Sequence, residues 1–496
     1  MNKSKIYGGI YTKGPSKKTD AFIMDPVMTL LENKLAPYYI LETIAHNLMV
    51  AKQGIIPKNS AVLILKNLLK LSNKADGGKL INPTIGDVHE NVESILTKSI
   101  GENAAWFHIA RSRNDQTVVD QKLFTKKCLL EIFEMLNKIE NTLANKTALY
   151  VNAVMPGYTH MRLAMPSSFG FWWQSYLDQI LDIHTILKSV YEVYDKCPLG
   201  AGASYGVNWK IDPAFTAQKL GFAGPFLNAL SAIDNRGIED ANIIGQLSII
   251  LTVLSRMMED LIIWSMPELN YVAISEEFTT GSSIMPQKMN PDIAEKIKSK
   301  SSKLIANLNH VLIAMKGTPS GYNRDSAESK VAIISSLEET LSTLSIANDL
   351  FEKIIPNVEI MKQNSIPSLP TKLADMLVKQ YHIPFRTAHK IVGKTIHLVQ
   401  GEINKITGNA IESSIELIMD KKINIDEQLI KEVFDVNSAL NQYEYEGSAG
   451  PEHVLEVNEK LIKKTAMLKK WTNNKKDIFV NAQENLIKEV ENYIKS

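Results

Sequence analysis

This sequence predicts an all-α fold, and three observations predict it. Residues 102–155 contain neither glycine nor proline, and Val119, Leu123, Leu130, Phe133, Leu136 and Leu143 recur there near helical spacing. Breaker-poor runs of the same kind cover 246–266, 292–316 and 322–355. Glycines and prolines collect between the runs, at 76–86, 155–170, 197–213, 223–225, 267–291, 317–321 and 365–370. Several runs pass 20 residues, well beyond the usual helix of about 11. A long helix with an apolar stripe needs a partner along its whole length, so these runs predict a bundle within or between chains. The punctuation divides the chain into a mostly helical N-terminal domain (1–110), a central long-helix domain (111–360) and a C-terminal helical domain (361–496).

Composition sets the outer bounds. At 496 residues the chain can bury a large core across two or three domains. Its 55 Lys and Arg nearly cancel its 54 Asp and Glu, leaving a formal charge of +1 that favours neither nucleic acid nor a membrane surface as partner. Two cysteines, Cys128 and Cys197, make no disulfide framework, which points to a reducing, cytoplasmic setting. The most apolar stretch, Leu247 to Met266, carries Arg256, Glu259 and Asp260 and reads as a buried helix, not a membrane span. No HExxH, no paired Cys-x-x-Cys and no P-loop is present, so no metal or nucleotide cofactor is expected. Gly200-Ala201-Gly202-Ala203-Ser204-Tyr205-Gly206 has the wrong spacing for a dinucleotide loop.

Chemistry is best sought where polar residues meet the punctuation. Gly281-Ser282-Ser283-Ile284-Met285-Pro286-Gln287-Lys288-Met289-Asn290-Pro291-Asp292 sits between two long helical runs. Its end reads as a helix start, with Asn290 as N-cap and Pro291 at the first helical position. That leaves the serine pair and Lys288 without a structural task. Ser112-Arg113-Asn114-Asp115-Gln116 opens the longest run, either as a capped helix start or as an anion site at a helix N-terminus. Thr159 and His160 lie on a turn bounded by Pro156, Gly157 and Pro166. Tyr322, Asn323, Arg324, Asp325, Glu328 and Lys330 form one more polar cluster, and Asp87, His89 and Glu90 another that also reads as a cap.

Together these motifs resemble the argininosuccinate lyase branch of the fumarase/aspartase superfamily. Gly281-Ser282-Ser283-x-Met285-Pro286-x-Lys288-x-Asn290-Pro291 is similar to the superfamily signature. Ser112 to Gln116, Pro156 to His160, Asp87-Val88-His89, Pro198-Leu199-Gly200-x-Gly202-Ala203 and Tyr322-Asn323-x-Asp325 match the branch's further elements. Leu373-Ala374-Asp375 and Pro384-Phe385-Arg386-x-Ala388-His389 match its C-terminal domain. The resemblance implies a three-domain protomer and a homotetramer around a twenty-helix core. Each active site is then shared between three subunits and acts on a small molecule. The implied reaction is reversible anti elimination of fumarate from an N-substituted aspartate, with argininosuccinate giving arginine as the first candidate. It implies Ser282 as base, His160 or a water it positions as acid, and Lys288 with Asn290 holding the charge that develops on the carboxylate. Ser112, Arg113, Asn114 and Thr159 would hold the fumarate half, with Asp87, His89, Tyr322 and Lys330 also binding substrate.

The departures from that pattern fall mostly on the amine side. Arg162 and Met165 stand where relatives carry glutamines, and Ala327 replaces another. Ungapped counting back from His46 places Met28 at a substrate-contacting serine. Ser231 and Gly237 replace aspartates, Met289 replaces a lysine, and Tyr7-Gly8-Gly9-Ile10-Tyr11 stands in for a tryptophan-containing element. Three readings follow: an argininosuccinate lyase, a divergent lyase using a different amine, and a bundle that keeps the fold without the activity. Joint retention of Ser282, His160, Lys288 and Asn290 argues against the third.

Overall fold

The structure, a computed structural model, describes residues 16–75 and 80–496. The Tyr7-Gly8-Gly9-Ile10-Tyr11 element and the Asp76-Gly77-Gly78 turn lie outside these residues. The described N-terminal part begins with α1 (Lys17–Ile23) and α2 (Pro26–Lys52), followed by α3 (Lys58–Ala75) and α4 (Val88–Ile100). Asp25 caps α2, its carboxylate accepting from Met28 N at 2.8 Å, and Pro26 occupies the first turn, where no backbone donor is needed.

The run free of glycine and proline becomes α5 (Arg113–Leu149), 37 residues without interruption. It leads into a hairpin of β1 (Val154–Thr159) and β2 (Arg162–Ser168), and then into α6 (Phe169–Tyr194). Two short helices, α7 (Pro213–Lys219) and α8 (Ala229–Asp234), precede α9 (Ile238–Trp264), α10 (Asp292–Met315) and α11 (Ser326–Lys353). These long helices pack side by side: α5 against α2, α6 and α11, and α9 against α6, α10 and α11. Leu123, Ile132, Phe133, Trp173, Leu177, Leu247, Leu254, Ile333 and Leu344 are among the fully buried residues of one continuous core. The all-α bundle is therefore present. Among the described residues, no helix is long and apolar enough to cross a membrane.

Beyond α12 (Val358–Ser365) the packing departs from a single unit over 361–496. α13 (Pro370–Tyr381), α14 (Phe385–Leu398), α15 (Gly408–Met419) and α16 (Glu427–Phe434) enclose their own core around Leu373, Leu377, Ile391, Ile411 and Ile415. The last helix, α17 (Pro451–Lys495), runs back along the main bundle instead and packs on α5 and α6. Its buried residues Val454, Leu461 and Leu468 recur every seven positions, followed by Phe479, Leu486 and Val490. Such a seam has to be covered throughout. Asn458 Nδ2 donates to Ala144 O at 3.1 Å, and Gln174 Nε2 donates to Val454 O at 2.6 Å, fixing the alignment.

Leu486 is fully buried in the main core. Leu486→Ala should therefore destabilise the bundle by about 2–5 kcal/mol. Hydrogen exchange should show amides of α5 and α17 losing protection while those of α13 to α16 keep theirs.

Candidate active site

The head of α5 is built by its own sequence. Ser112 is the N-cap, with Ser112 Oγ accepting from Asn114 N at 3.3 Å and Ser112 N donating to Asp115 Oδ1 at 2.9 Å. The other oxygen of Asp115 accepts from Gly202 N at 2.9 Å and Gly200 N at 3.3 Å. The glycine-rich loop thus serves to seat this helix head. Beneath it Arg111 is buried, donating to both Glu42 oxygens at 3.3 Å and to Thr43 Oγ1 at 3.0 Å. Arg111 is therefore engaged within the core, while Arg113 and Asn114 face outward.

Arg113 and Asn114 open onto a cavity of about 280 Å³ between α2, the head of α4, α5 and the start of α11. Asp87, Tyr322 and Lys330 also line it. Asp87 caps α4 through Glu90 N at 3.2 Å and also receives Arg113. Lys330 donates to Glu32 at 3.0 Å, both groups being buried. His89 does not line the cavity. It lies buried beneath it, edge-on to Tyr39 with ring centroids 4.4 Å apart, and burial pushes its imidazole below the usual range. Neither His89 ring nitrogen makes a hydrogen bond. Met28 and Ala327, two of the departures from the family pattern, stand in the cavity wall. Glu32, Glu90, Thr117, Arg236 and Arg324 line it too. Glu90 and Arg324 belong to polar clusters visible in the sequence, whereas Glu32, Thr117 and Arg236 come from separate elements that only the folded chain gathers.

The remaining candidates lie elsewhere. In the hairpin Thr159 pairs with Arg162, so His160 and Met161 form the turn, with φ of 53° and 58°. Two left-handed residues define a type I′ turn, which glycine and asparagine favour and these two adopt under strain. Ser282, Lys288 and Asn290 lie on an exposed loop whose base is the two-residue ladder Thr280–Gly281 with Met289–Asn290. That ladder corrects the expected cap. Asn290 is held in a strand, so the N-cap of α10 is Pro291 and the helix begins at Asp292. Ser282 Oγ accepts from Met285 N at 3.1 Å and Ile284 N at 3.3 Å.

The hairpin and the loop share one end of the bundle. Tyr158 Oη lies 2.7 Å from Tyr271 Oη, at the beginning of the α9–α10 connection. Arg113 is at the opposite end of α5, about 55 Å away at 1.5 Å rise per residue. A strand of six residues reaches back only about 20 Å. Within one chain the two groups of candidate residues therefore stand at opposite ends of the bundle.

The Lyase family model matches residues 25–306, and the argininosuccinate lyase C-terminal model matches residues 368–441. Argininosuccinate lyase of Alkaliphilus metalliredigens is 34% identical over 91% of this chain and 96% of its own. That of Ehrlichia canis is 32% identical over 92% and 96%. A solved EDDS lyase has the same fold, with a TM-score of 0.84 at 24% identity over 98% of this chain and 97% of its own. The chain belongs to the argininosuccinate lyase family.

Asp115 supplies a pH-dependent check on the helix head. Burial, against the pull of the Ser112, Gly202 and Gly200 amides, raises its carboxyl from 3.8 to about 7. A raised pKa means the folded state holds the proton more tightly, so this contribution is full below about pH 4 and is lost as pH rises through 7. Urea denaturation of Asp115→Asn should lack that part of the wild-type decline between pH 4 and 7.

Proposed function

We propose that this protein catalyses the reversible anti elimination of fumarate from argininosuccinate, as a homotetramer in the cytoplasm. The observation that carries the mechanism is the hydroxyl of Ser282, which accepts two backbone N–H groups on an exposed loop. Two donors aimed at one oxygen stabilise its alkoxide and lower its pKa, as a serine base requires. Ser283 makes no comparable bond among the described residues, which favours Ser282 of the pair.

In this reading Ser282 removes the proton beside a carboxylate. The electron pair moves into that carboxylate to give an aci-carboxylate, held by the Lys288 ammonium and the Asn290 amide. The C–N bond then breaks as His160, or a water it positions, protonates the departing nitrogen. Fumarate and arginine leave. Ser112, Arg113, Asn114 and Thr159 hold the carboxylates of the fumarate half. Tyr322 and Lys330 stand toward the amine half, while Asp87 orients Arg113 and His89 supports the wall from beneath. The separation of the half-sites supports a site shared between subunits. A second reading, with another amine in place of arginine, is favoured by the methyl and thioether groups of Ala327 and Met28 in the cavity wall.

Purified protein should release fumarate from argininosuccinate, followed by its ultraviolet absorbance. Ser282→Ala should lower kcat by a factor of at least about 100, the scale of a lost proton-transfer group. Retention of full activity would remove Ser282 from the mechanism. A second expectation follows from the divided site. Arg113→Ala and His160→Ala oligomers, each inactive alone, should regain activity after subunit mixing, because some sites then receive neither substitution. No recovery in demonstrably mixed oligomers would overturn the shared site.

A further inference from the structure

A two-stranded hairpin standing alone is marginal in water, yet the β1–β2 hairpin has to present His160 at its tip. Its own ladder is weak. Pro156 faces Pro166, neither has an N–H to donate, and the register shifts between Pro156 and Tyr158. Gly157 sits in that irregularity, where a Cβ would come within 2.6 Å of Met165 O. The turn is left-handed at both His160 and Met161. The direction of the tip therefore has to be set from outside the hairpin.

The base is fixed first. Ser168 Oγ accepts from Phe171 N at 3.1 Å at the head of α6, and Val154 is buried in a cluster with Leu369, Val436, Ala439 and Leu440. Those four residues come from the chain beyond α12, so the C-terminal region reaches the hairpin. Above the base, Tyr443 Oη donates to Pro166 O at 2.8 Å. Tyr443 is itself held in place by Lys372 of α13. That buried lysine donates to Ala439 O and to Gln442 Oε1, the latter at 3.2 Å, and its Nζ lies 4.9 Å from the centre of the Tyr443 ring. Two acceptors and an aromatic face on one buried ammonium tie the 439–443 segment to α13. Contacts thus run without a break from α13 through Tyr443 to β2.

From Pro166 to Arg162 the strand spans about 13 Å at about 3.3 Å per residue. A tilt of about 5° at Pro166 would displace the tip by about 1 Å, a misplacement that can cost about a hundredfold in rate.

We propose that Tyr443 is a positioning residue for protonation of the leaving nitrogen: its hydroxyl, seated by Lys372, sets where the turn presents His160. This rests on the lyase reading, in which His160 or a water it positions is the acid. In that reading most of the residues that bind substrate stand at the other end of α5. A loosened tip therefore lowers kcat and leaves KM near its value.

Tyr443→Phe removes the hydroxyl and keeps the ring beside Lys372. With argininosuccinate, its kcat for fumarate release should fall about tenfold, the scale of one lost hydrogen bond. Its KM should stay within about twofold, because the lost interaction serves the chemical step. Lys372→Met should act in the same direction, and the double variant should fall no further than Tyr443→Phe alone, since both act through one contact. An unchanged kcat in Tyr443→Phe overturns the proposal, and the loss in Ser282→Ala then keeps the lyase reading standing. A structural role would lower the melting temperature and shift KM together with kcat, or multiply the losses in the double variant; either result overturns the proposal too. If argininosuccinate releases no fumarate and no amine consumes it, the lyase reading fails and takes the inference with it.

Discussion

The continuity of α5 is the constraint on which the rest of the molecule depends. Thirty-seven residues without a breaker hold Arg113 and the residues after the hairpin base at opposite ends of a rigid rod. A helix kinks only where proline, glycine or an inserted group interrupts its hydrogen bonds, and α5 contains neither breaker. The chain cannot fold its own hairpin onto its own cavity. Apolar side chains stand uncovered around the far half-site: Ile284 is 86% exposed, Met161 69% and Met289 59%. Exposed apolar surface gathered beside the candidate residues is the kind of face that another molecule covers. Under the proposed shared site, covering this surface and completing the site act in the same direction.

The head of the rod is held by a buried polar layer, unusual in a helical core. Arg111 ties Glu42 and the Phe107 carbonyl to the turn before α5, and Asp115 ties in the glycine-rich loop. Asp120 lies one turn deeper, and burial raises its carboxyl to about 7 against the pull of Lys330 and His89. Leucines of similar volume would pack the space more simply. The polar layer does what leucines cannot: it fixes the direction in which Ser112, Arg113 and Asn114 leave the helix. Precision at the cavity is obtained from groups that never touch it.

The sequence was most informative where one element decides the outcome alone. Absence of breakers located α5, α9, α10 and α11, and Ser112 with Asp115 located the head of α5, because cap and first turn are neighbours in the chain. The cap of α10 was misplaced by one residue. Asn290 is a good cap chemically, but its backbone is claimed by Thr280, ten residues earlier. The return of α17 was not legible, since a seven-residue seam shows that a helix needs a partner without saying which. Arg236 was missed for a similar reason. It lies between two helices in a stretch with no motif, and only the folded chain brings it to the cavity wall.

The two half-sites differ in how they are made, and the difference has a physical logic. The cavity end stands on helices that the core fixes, with Lys330 paired to Glu32 and Arg113 to Asp87. The other half is carried by a strained turn at His160 and Met161 and by a loop joined to the bundle through a two-residue ladder. A left-handed non-glycine turn persists only where surrounding packing holds it. The hairpin has limited help, since Pro156 opposite Pro166 removes two ladder donors and a bulge follows before Tyr158. Tyr443 from the C-terminal region compensates by donating to Pro166 O at 2.8 Å, and Tyr271 meets Tyr158 on the other strand. His160 is thus oriented by two tyrosines outside its own hairpin. In the proposed reaction, substrate selection rests on the cavity, while proton transfer uses groups carried by the turn and the loop.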